Sequence, residues 1–214
     1  MSTVEHRFTG RPDGDLAVTG EHAALAARRA AIGPGPWTWL RQVHGADVVV
    51  VTEPGEHAGA AADAAVTAVA GAVLAVQTAD CAPLLLVGDG GVGVVHAGWR
   101  GLVAGVVEAA AGALASLGAP PQRAVLGPCI RPRCYEFAGV ELDQVAERYG
   151  SEVRARTSWG TPALDLAAGV AAACRGLGVE LDDAGTCTAC SPVHWSHRAR
   201  TDPQRQALVA WLTP

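Results

Sequence analysis

The stretch Ala72–Gly101, AVLAVQTADCAPLLLVGDGGVGVVHAGWRG, decides how this chain is read. Ala72–Gln77, Leu84–Val87 and Gly91–His96 are short apolar runs, each expected to form a buried strand. Cys81 lies in the turn segment Thr78–Pro83 between the first two, and His96 closes the third. Upstream, Trp37–Val43 and Asp47–Thr52 read as strands flanking His44-Gly45 in RQVHGADVV. Two imidazoles and one thiolate are good zinc ligands with a fourth position left open, the pattern of a catalytic rather than a structural site. Ligands so far apart in sequence meet only if the fold gathers the strand ends.

Working outward, RFTGRPDGDLAVTG reads as a short strand and a Gly-rich turn, and Glu21–Ala31 as a short helix ended by Gly33-Pro34-Gly35-Pro36. Glu53–Ala62 is expected to be a loop and Ala64–Val69 a strand. A long helix should follow His96-Ala97-Gly98-Trp99-Arg100-Gly101 and run to about Leu117. Arg123–Leu126 reads as a strand, Val140–Tyr149 and Leu166–Leu177 as helices, Ser191–Arg205 as irregular, and Gln206–Leu212 as a final helix or strand. Strands and helices alternate without a strict βαβ pattern. The expected architecture is α/β, a single domain over residues 1–214 with a mixed β-sheet core wrapped by helices.

Composition narrows the functions. Half of the 214 residues are hydrophobic, yet no uncharged run reaches the roughly 18 residues of a membrane span. The N-terminus lacks a signal-peptide core, so a cytoplasmic protein is expected. Net charge is −5 with scattered basic residues, which argues against a nucleic-acid surface. There is no lysine, so Schiff-base chemistry is excluded and anionic substrates must be held by arginine or backbone amides.

The six cysteines read as buried thiols, ligands or nucleophiles in a reducing compartment. Cys187-x-x-Cys190 with His194 and His197 is too tightly spaced for a Cys2His2 finger, and no thioredoxin-like context supports a redox pair. Around the His44–Cys81–His96 trio, Asp63 and Asp80 read as carboxylates that orient a ligand or move a proton, or else as plain turn acids. Arg41 and Arg100 either pair with an anion beside the metal or are surface charges. Trp99 either stacks on a substrate or fills the core.

At these segments the chain resembles the laccase-domain family, also called multicopper polyphenol oxidases or the YfiH-type family. The matching motifs are FTGR at Phe8–Arg11, RQVHGADV at Arg41–Val48, ADAAVT at Ala62–Thr67, TADCAPLLL at Thr78–Leu86 and HAGWRGL at His96–Leu102. GPCIRPRCYEF at Gly127–Phe137, LDL at Leu164–Leu166, CTAC and WSHR at Trp195–Arg198 complete the set. The resemblance implies a zinc ion held by His44, Cys81 and His96. It also implies phosphorolysis of adenosine, inosine, guanosine and methylthioadenosine, with adenosine deamination; other members carry the labels polyphenol oxidase or peptidoglycan-editing factor. This chain departs from the pattern in a shorter segment after Arg11 and in Ala199, which stands where the family usually has a second arginine.

Four-copper oxidation needs a trinuclear cluster rich in paired histidines. Seven histidines with no His-X-His pair do not supply one, so zinc is the expected metal and copper the disfavoured one. Phosphorolysis needs cations for phosphate and for charge on the departing purine, and Arg41, Arg100 and Arg198 are the available ones. The partners expected are therefore a nucleoside and phosphate. Two rivals use the same trio: hydrolysis of a muropeptide-precursor amide, with Cys81 or a metal-activated water as nucleophile, and a non-enzymatic zinc-holding role.

Overall fold

The computed structural model describes residues 3–213. In chain order it contains β1 (Val4–Phe8), α1 (His22–Ile32), β2 (Trp37–Arg41), β3 (Val48–Val51), β4 (Ala60–Ala61), β5 (Ala64–Thr67), β6 (Val73–Thr78), β7 (Ala82–Gly88) and β8 (Gly91–Ala97). Next come α2 (Trp99–Ala104), α3 (Val106–Ser116), β9 (Pro121–Leu126), α4 (Val140–Tyr149), β10 (Arg154–Arg156) and β11 (Pro162–Leu164). The chain closes with α5 (Leu166–Gly176), β12 (Glu180–Asp183), α6 (His197–Arg200) and β13 (Gln206–Leu212).

The core is two mixed sheets rather than one. The first has the order β1-β13-β6-β2-β4 and the second β12-β9-β7-β8-β5-β3. The inner strands β5, β6, β7, β8 and β13 read as near-continuous apolar runs because both of their faces are covered, whereas the edge strands β1 and β12 are polar and largely exposed. Leu74 and Val76 of β6 meet Leu85 of β7 and Val92 and Val94 of β8 between the sheets. Val73 and Ala75 of β6 turn the other way, onto Leu25 of α1. On the far side, Leu84 and Leu86 of β7 and Val95 of β8 pack against Val106, Val107, Ala110 and Leu114 of α3. The result is a four-layer α/β/β/α stack. Each fully buried Leu or Val contributes about 1.5–3 kcal/mol, so a charge on either face of β6 or β7 would break it.

Three expectations change. The helix after Trp99 is two helices, because Gly105 adopts φ +89 and ends α2 in the left-handed region. A Cβ there would stand 2.7 Å from Arg148 Nη2. The turn lets α2 lean on α4, where Tyr149 donates its hydroxyl hydrogen to Leu102 O at 2.8 Å. Second, Ala60–Ala61 within the expected loop pairs with β2, and Glu180–Asp183 pairs in parallel with β9. Third, the expected strand Trp37–Val43 ends at Arg41, because Val43, His44 and Gly45 give their N–H groups to Asp63. Of the alternatives for Gln206–Leu212, the strand forms, between β1 and β6. No helix among the described residues is long and apolar enough to cross a membrane.

Two connections matter for the site. The β2–β3 loop and the β6–β7 turn both carry the chain from the first sheet to the second, and both do so at one rim. His44 lies on the first, Cys81 on the second, and His96 near the end of β8 beside them.

Candidate metal centre

His44, Cys81 and His96 come together: one ligand atom from each lies within 4.8 Å of the others. Cys81 Sγ is 3.9 Å from His44 Nε2, and the two imidazole rings stand edge-on at 4.8 Å between centroids. His96 is buried, Cys81 partly exposed and His44 exposed, so the trio opens to solvent on one side.

Asp63 builds this geometry. It is fully buried at the start of β5, and its carboxylate accepts the backbone N–H groups of Val43 (3.1 Å), His44 (2.9 Å) and Gly45 (2.8 Å). Three successive amides converging on one anion form a nest, and His44 takes φ +61 to complete it. The same carboxylate accepts Nδ1–H of His96 at 2.8 Å, which leaves His96 Nε2 free to face the trio. Burial alone would raise the Asp63 pKa, but His96 and the amides outweigh it and hold the carboxyl below its usual range.

Asp80 precedes Cys81 and binds the tail rather than a ligand. It takes φ +102 in the β6–β7 turn, and its carboxylate accepts the Thr188 hydroxyl and the Arg198 backbone N–H, each at 2.6 Å. The tail is thereby tied to the residue beside the thiol. Gln42 and Gln77 clamp the two crossing segments together: Gln42 Nε2 donates to Gln77 O, and Gln77 N–H to Gln42 Oε1, both at 2.7 Å.

The charges are coupled. Burial pushes the Cys81 thiol up, but the imidazoles of His96 and His44 overcome this and bring its pKa down to about 6. Burial would lower His96, yet the Cys81 sulfur and the Asp63 carboxylate carry it up to about 9. A thiolate facing an imidazolium is a cation site with a proton standing where the metal would be. The donor set suits a borderline-soft divalent ion such as zinc. Gly98 leaves the necessary room, since a Cβ there would lie 2.9 Å from His44 Cδ2 and 3.2 Å from Cys81 Sγ.

Two clefts meet at the trio. One of about 450 Å³ is lined by Arg41, Gln42, Gln77, His197 and Arg205 along with the three ligands. The other, about 250 Å³, reaches His44 and Cys81 past Trp99, Arg100, Tyr135, His197 and Arg198. Arg41 thus stands on one side, and Arg100, Arg198 and Trp99 on the other. Arg100 lies over the Trp99 ring at 4.4 Å, and Arg198 over Tyr135 at 5.1 Å. Burial pushes the Tyr135 hydroxyl up to about 12, so it stays a proton donor. Tyr135, Thr188 and Arg205 were not singled out from sequence, and His197 drew notice only as a tail ligand. They come from segments without apolar period, and although Tyr135, Thr188 and His197 sit in the motifs GPCIRPRCYEF, CTAC and WSHR, the motifs alone gave them no role at the site.

A second group, Cys134, Cys187 and Cys190, also lies within 4.8 Å ligand to ligand. His194 and His197 do not join it; His194 Nδ1 pairs instead with Ser191 Oγ at 2.8 Å.

A purine nucleoside phosphorylase of Streptomyces coelicolor is 45% identical over 88% of this chain and 80% of its own length. One from Streptomyces griseus is 44% identical over 97% of this chain and 87% of its own, and one from Mycobacterium tuberculosis 41% over 99% and 91%. A crystal structure of a Neisseria meningitidis protein superposes with a TM-score of 0.86 at 26% identity, covering 99% of this chain and 95% of that one. The family described as multi-copper polyphenol oxidoreductase laccase matches residues 9–213, and this chain belongs to it.

Proposed function

We propose that this protein is a zinc-dependent purine nucleoside phosphorylase, acting on adenosine, inosine, guanosine and methylthioadenosine, with adenosine deamination as a second activity. The observation that carries the reading is the His44–Cys81–His96 trio at the junction of two clefts, one bordered by Arg41 and the other by Trp99, Tyr135 and Arg198. The names of relatives at 41–45% identity support it.

In phosphorolysis an oxygen of phosphate bonds to the ribose C1′ as the C1′–N9 bond breaks. The bonding pair leaves with the purine, which takes up a proton. Arg41 supplies the fixed charge that positions phosphate in the larger cleft. Trp99 and Tyr135 bracket the purine in the smaller one, where the Tyr135 hydroxyl donates to the departing base and Arg198 and Arg100 offset its charge. Asp63 and Asp80 act by positioning, because the oxygens of both carboxylates are already engaged. His44, Cys81 and His96 would hold the zinc ion, which would supply Lewis-acid charge beside the substrate.

The experiment is a purine nucleoside panel with and without phosphate, on protein of measured zinc content, followed by free base and ammonia release. Phosphate-dependent base release is expected. No base from any nucleoside in phosphate overturns the reading, and no ammonia from adenosine removes the deaminase part. The lowered Cys81 pKa also suits a thiolate attacking an amide. Turnover of a muropeptide-precursor amide without phosphate would favour that alternative.

A further inference from the structure

Cys134, Cys187 and Cys190 lie outside the chemistry above, and their arrangement is that of a second built site. Cys134 ends the short 3-10 turn Pro132–Cys134, while Cys187 and Cys190 belong to one turn of the tail. Cys134 Sγ and Cys190 Sγ are 3.1 Å apart, and all three sulfurs fall within 4.8 Å of one another. Four zinc-type ligands at about 2.3 Å from a tetrahedral centre stand ~3.8 Å from each other, so sulfurs 3.1 Å apart and at most 4.8 Å apart need only small side-chain shifts to share one ion. We propose that Cys134, Cys187 and Cys190 form a second metal site, which binds a thiophilic d10 cation of the zinc class through three thiolates.

The scaffold around the sulfurs is fixed by backbone bonds. Cys129 N–H donates to Thr186 O and Thr188 N–H to Cys129 O, which ties the tail turn to the segment preceding Cys134. Ser191 N–H closes the turn on Cys187 O at 3.0 Å, and Cys134 N–H donates to Arg131 O at 2.9 Å. Arg200 spans the turn from outside, donating to the carbonyls of Thr188, Ala189 and His194. Burial pushes the Cys187 thiol up, but the backbone amides of Arg131, Cys190 and Ala189 outweigh it and hold the thiol below its usual range. Arg133 stands beside Cys187 and Cys190 and offsets the net negative charge of three thiolates around a divalent ion.

Three sulfurs select zinc-class or cuprous ions over magnesium or calcium. Cys187 is buried, but Cys190 is exposed and Cys134 borders a cleft of about 560 Å³ shared with Glu136, Trp159 and Arg198. Cys134 thus gives the site an edge on that cleft. Binding exchanges three S–H protons, released to solvent, for three metal–sulfur bonds, with no change of oxidation state.

The test uses the full chain, reduced and stripped of metal, titrated with Zn2+ against a chromophoric chelator. Two equivalents are expected. C190S, a conservative change at an exposed position, should retain one, with affinity at the second site reduced by more than the roughly 10- to 100-fold that loss of an outer-shell partner costs. In the reverse experiment, C81S loaded with Co2+ should keep strong thiolate-to-cobalt charge-transfer absorption, which C190S added to C81S abolishes. The C81S arm leaves the cysteine trio untouched, so it decides the question even if C190S folds poorly. A single equivalent in the wild type overturns the proposal. So does a second equivalent indifferent to C190S, or a C81S protein without the thiolate band. A Cys134–Cys190 disulfide that forms in air equally fast with and without Zn2+ overturns it as well. None of these readouts depends on nucleoside turnover, so the two readings fail separately.

Discussion

The His44–Cys81–His96 and Cys134–Cys187–Cys190 trios are similarly compact, but they are held in place by different means. The first stands where strands end and the chain crosses between sheets, and a buried carboxylate, Asp63, binds both the His44 loop and the His96 ring. The second stands on turns, and the cation Arg200 with backbone amides does the holding. Ligands mounted on a buried anion cannot be changed without disturbing the core, whereas ligands on a surface turn can. The first trio is also flanked by two clefts bearing arginines and aromatics, the second by one.

The largest contrast should appear in turnover. Replacing His96 or Cys81 (H96A, C81S) should lower phosphorolysis by more than the roughly 10- to 100-fold that loss of an outer-shell partner costs. C190S should leave kcat within about twofold, as surface substitutions usually do. Steady-state kinetics on the three variants check both statements. Equal losses would mean that the two trios act as one site.

Stability should separate the trios next. D63N sets an amide N–H against donors that now meet a carboxylate, and breaking a buried pair of this kind costs about 3–5 kcal/mol. D80N, whose partners are the Thr188 hydroxyl and the Arg198 amide, should cost about 1–3 kcal/mol. Denaturant unfolding of the metal-free proteins measures both. A D63N variant as stable as wild type would remove Asp63 as the organiser of the first trio.

The same contrast explains what was legible in the sequence. His44, Cys81 and His96 could be read because each borders an apolar strand and a glycine or turn, so position and chemistry coincide. Asp63 and Asp80 were visible for the same reason, though only the structure shows how completely their oxygens are engaged. The α/β class followed from runs such as Leu84–Val87, but the division into two sheets did not, because apolar strands buried on both faces look alike whichever partner they take. Glu180–Asp183 is a polar edge strand whose pairing comes wholly from β9, and Gly105 resembled any glycine in an Ala-rich helix. The cysteine trio was hidden because its third member is Cys134, far from the CxxC in sequence and brought to it by backbone β-pairing between the Cys129 and Cys187 segments.

A smaller effect sharpens the comparison without touching a ligand. The Cβ of G98A would press on both His44 and Cys81, while the backbone at Gly98, φ −79, accepts alanine without strain. Zinc affinity at the first trio should fall about tenfold, the low end for a lost support. Affinity at the cysteine trio should not change. Chelator competition on G98A reads both, and an unchanged first-site affinity would mean that the rim yields more easily than its hydrogen bonds suggest.

The smallest expected effect concerns protons, and its sign can be worked out. His96 is raised in the folded state to about 9, so its contribution to stability is full below its ordinary 6.5 and is lost as pH rises through about 9. Cys81 is lowered to about 6, so its contribution is full above its ordinary 9.0 and is lost as pH falls through about 6. Between about 6.5 and 9 the unfolded chain keeps one proton on Cys81, and the folded chain keeps one on His96. The number bound is the same, so the pair gives metal-free wild type no pH slope in that window. In C81S His96 loses the sulfur that raises it most, and Asp63 is left to oppose burial alone, so the folded imidazole gives up its proton at lower pH than in wild type. An NMR titration of His96 in metal-free protein should therefore run below the wild-type curve in C81S, each pH unit of displacement being worth about 1.4 kcal/mol. C190S, outside this proton exchange, should follow the wild-type curve. Coincident curves for C81S and wild type would show that thiol and imidazole do not share the proton, and the charge-paired picture of the first trio would fall with them.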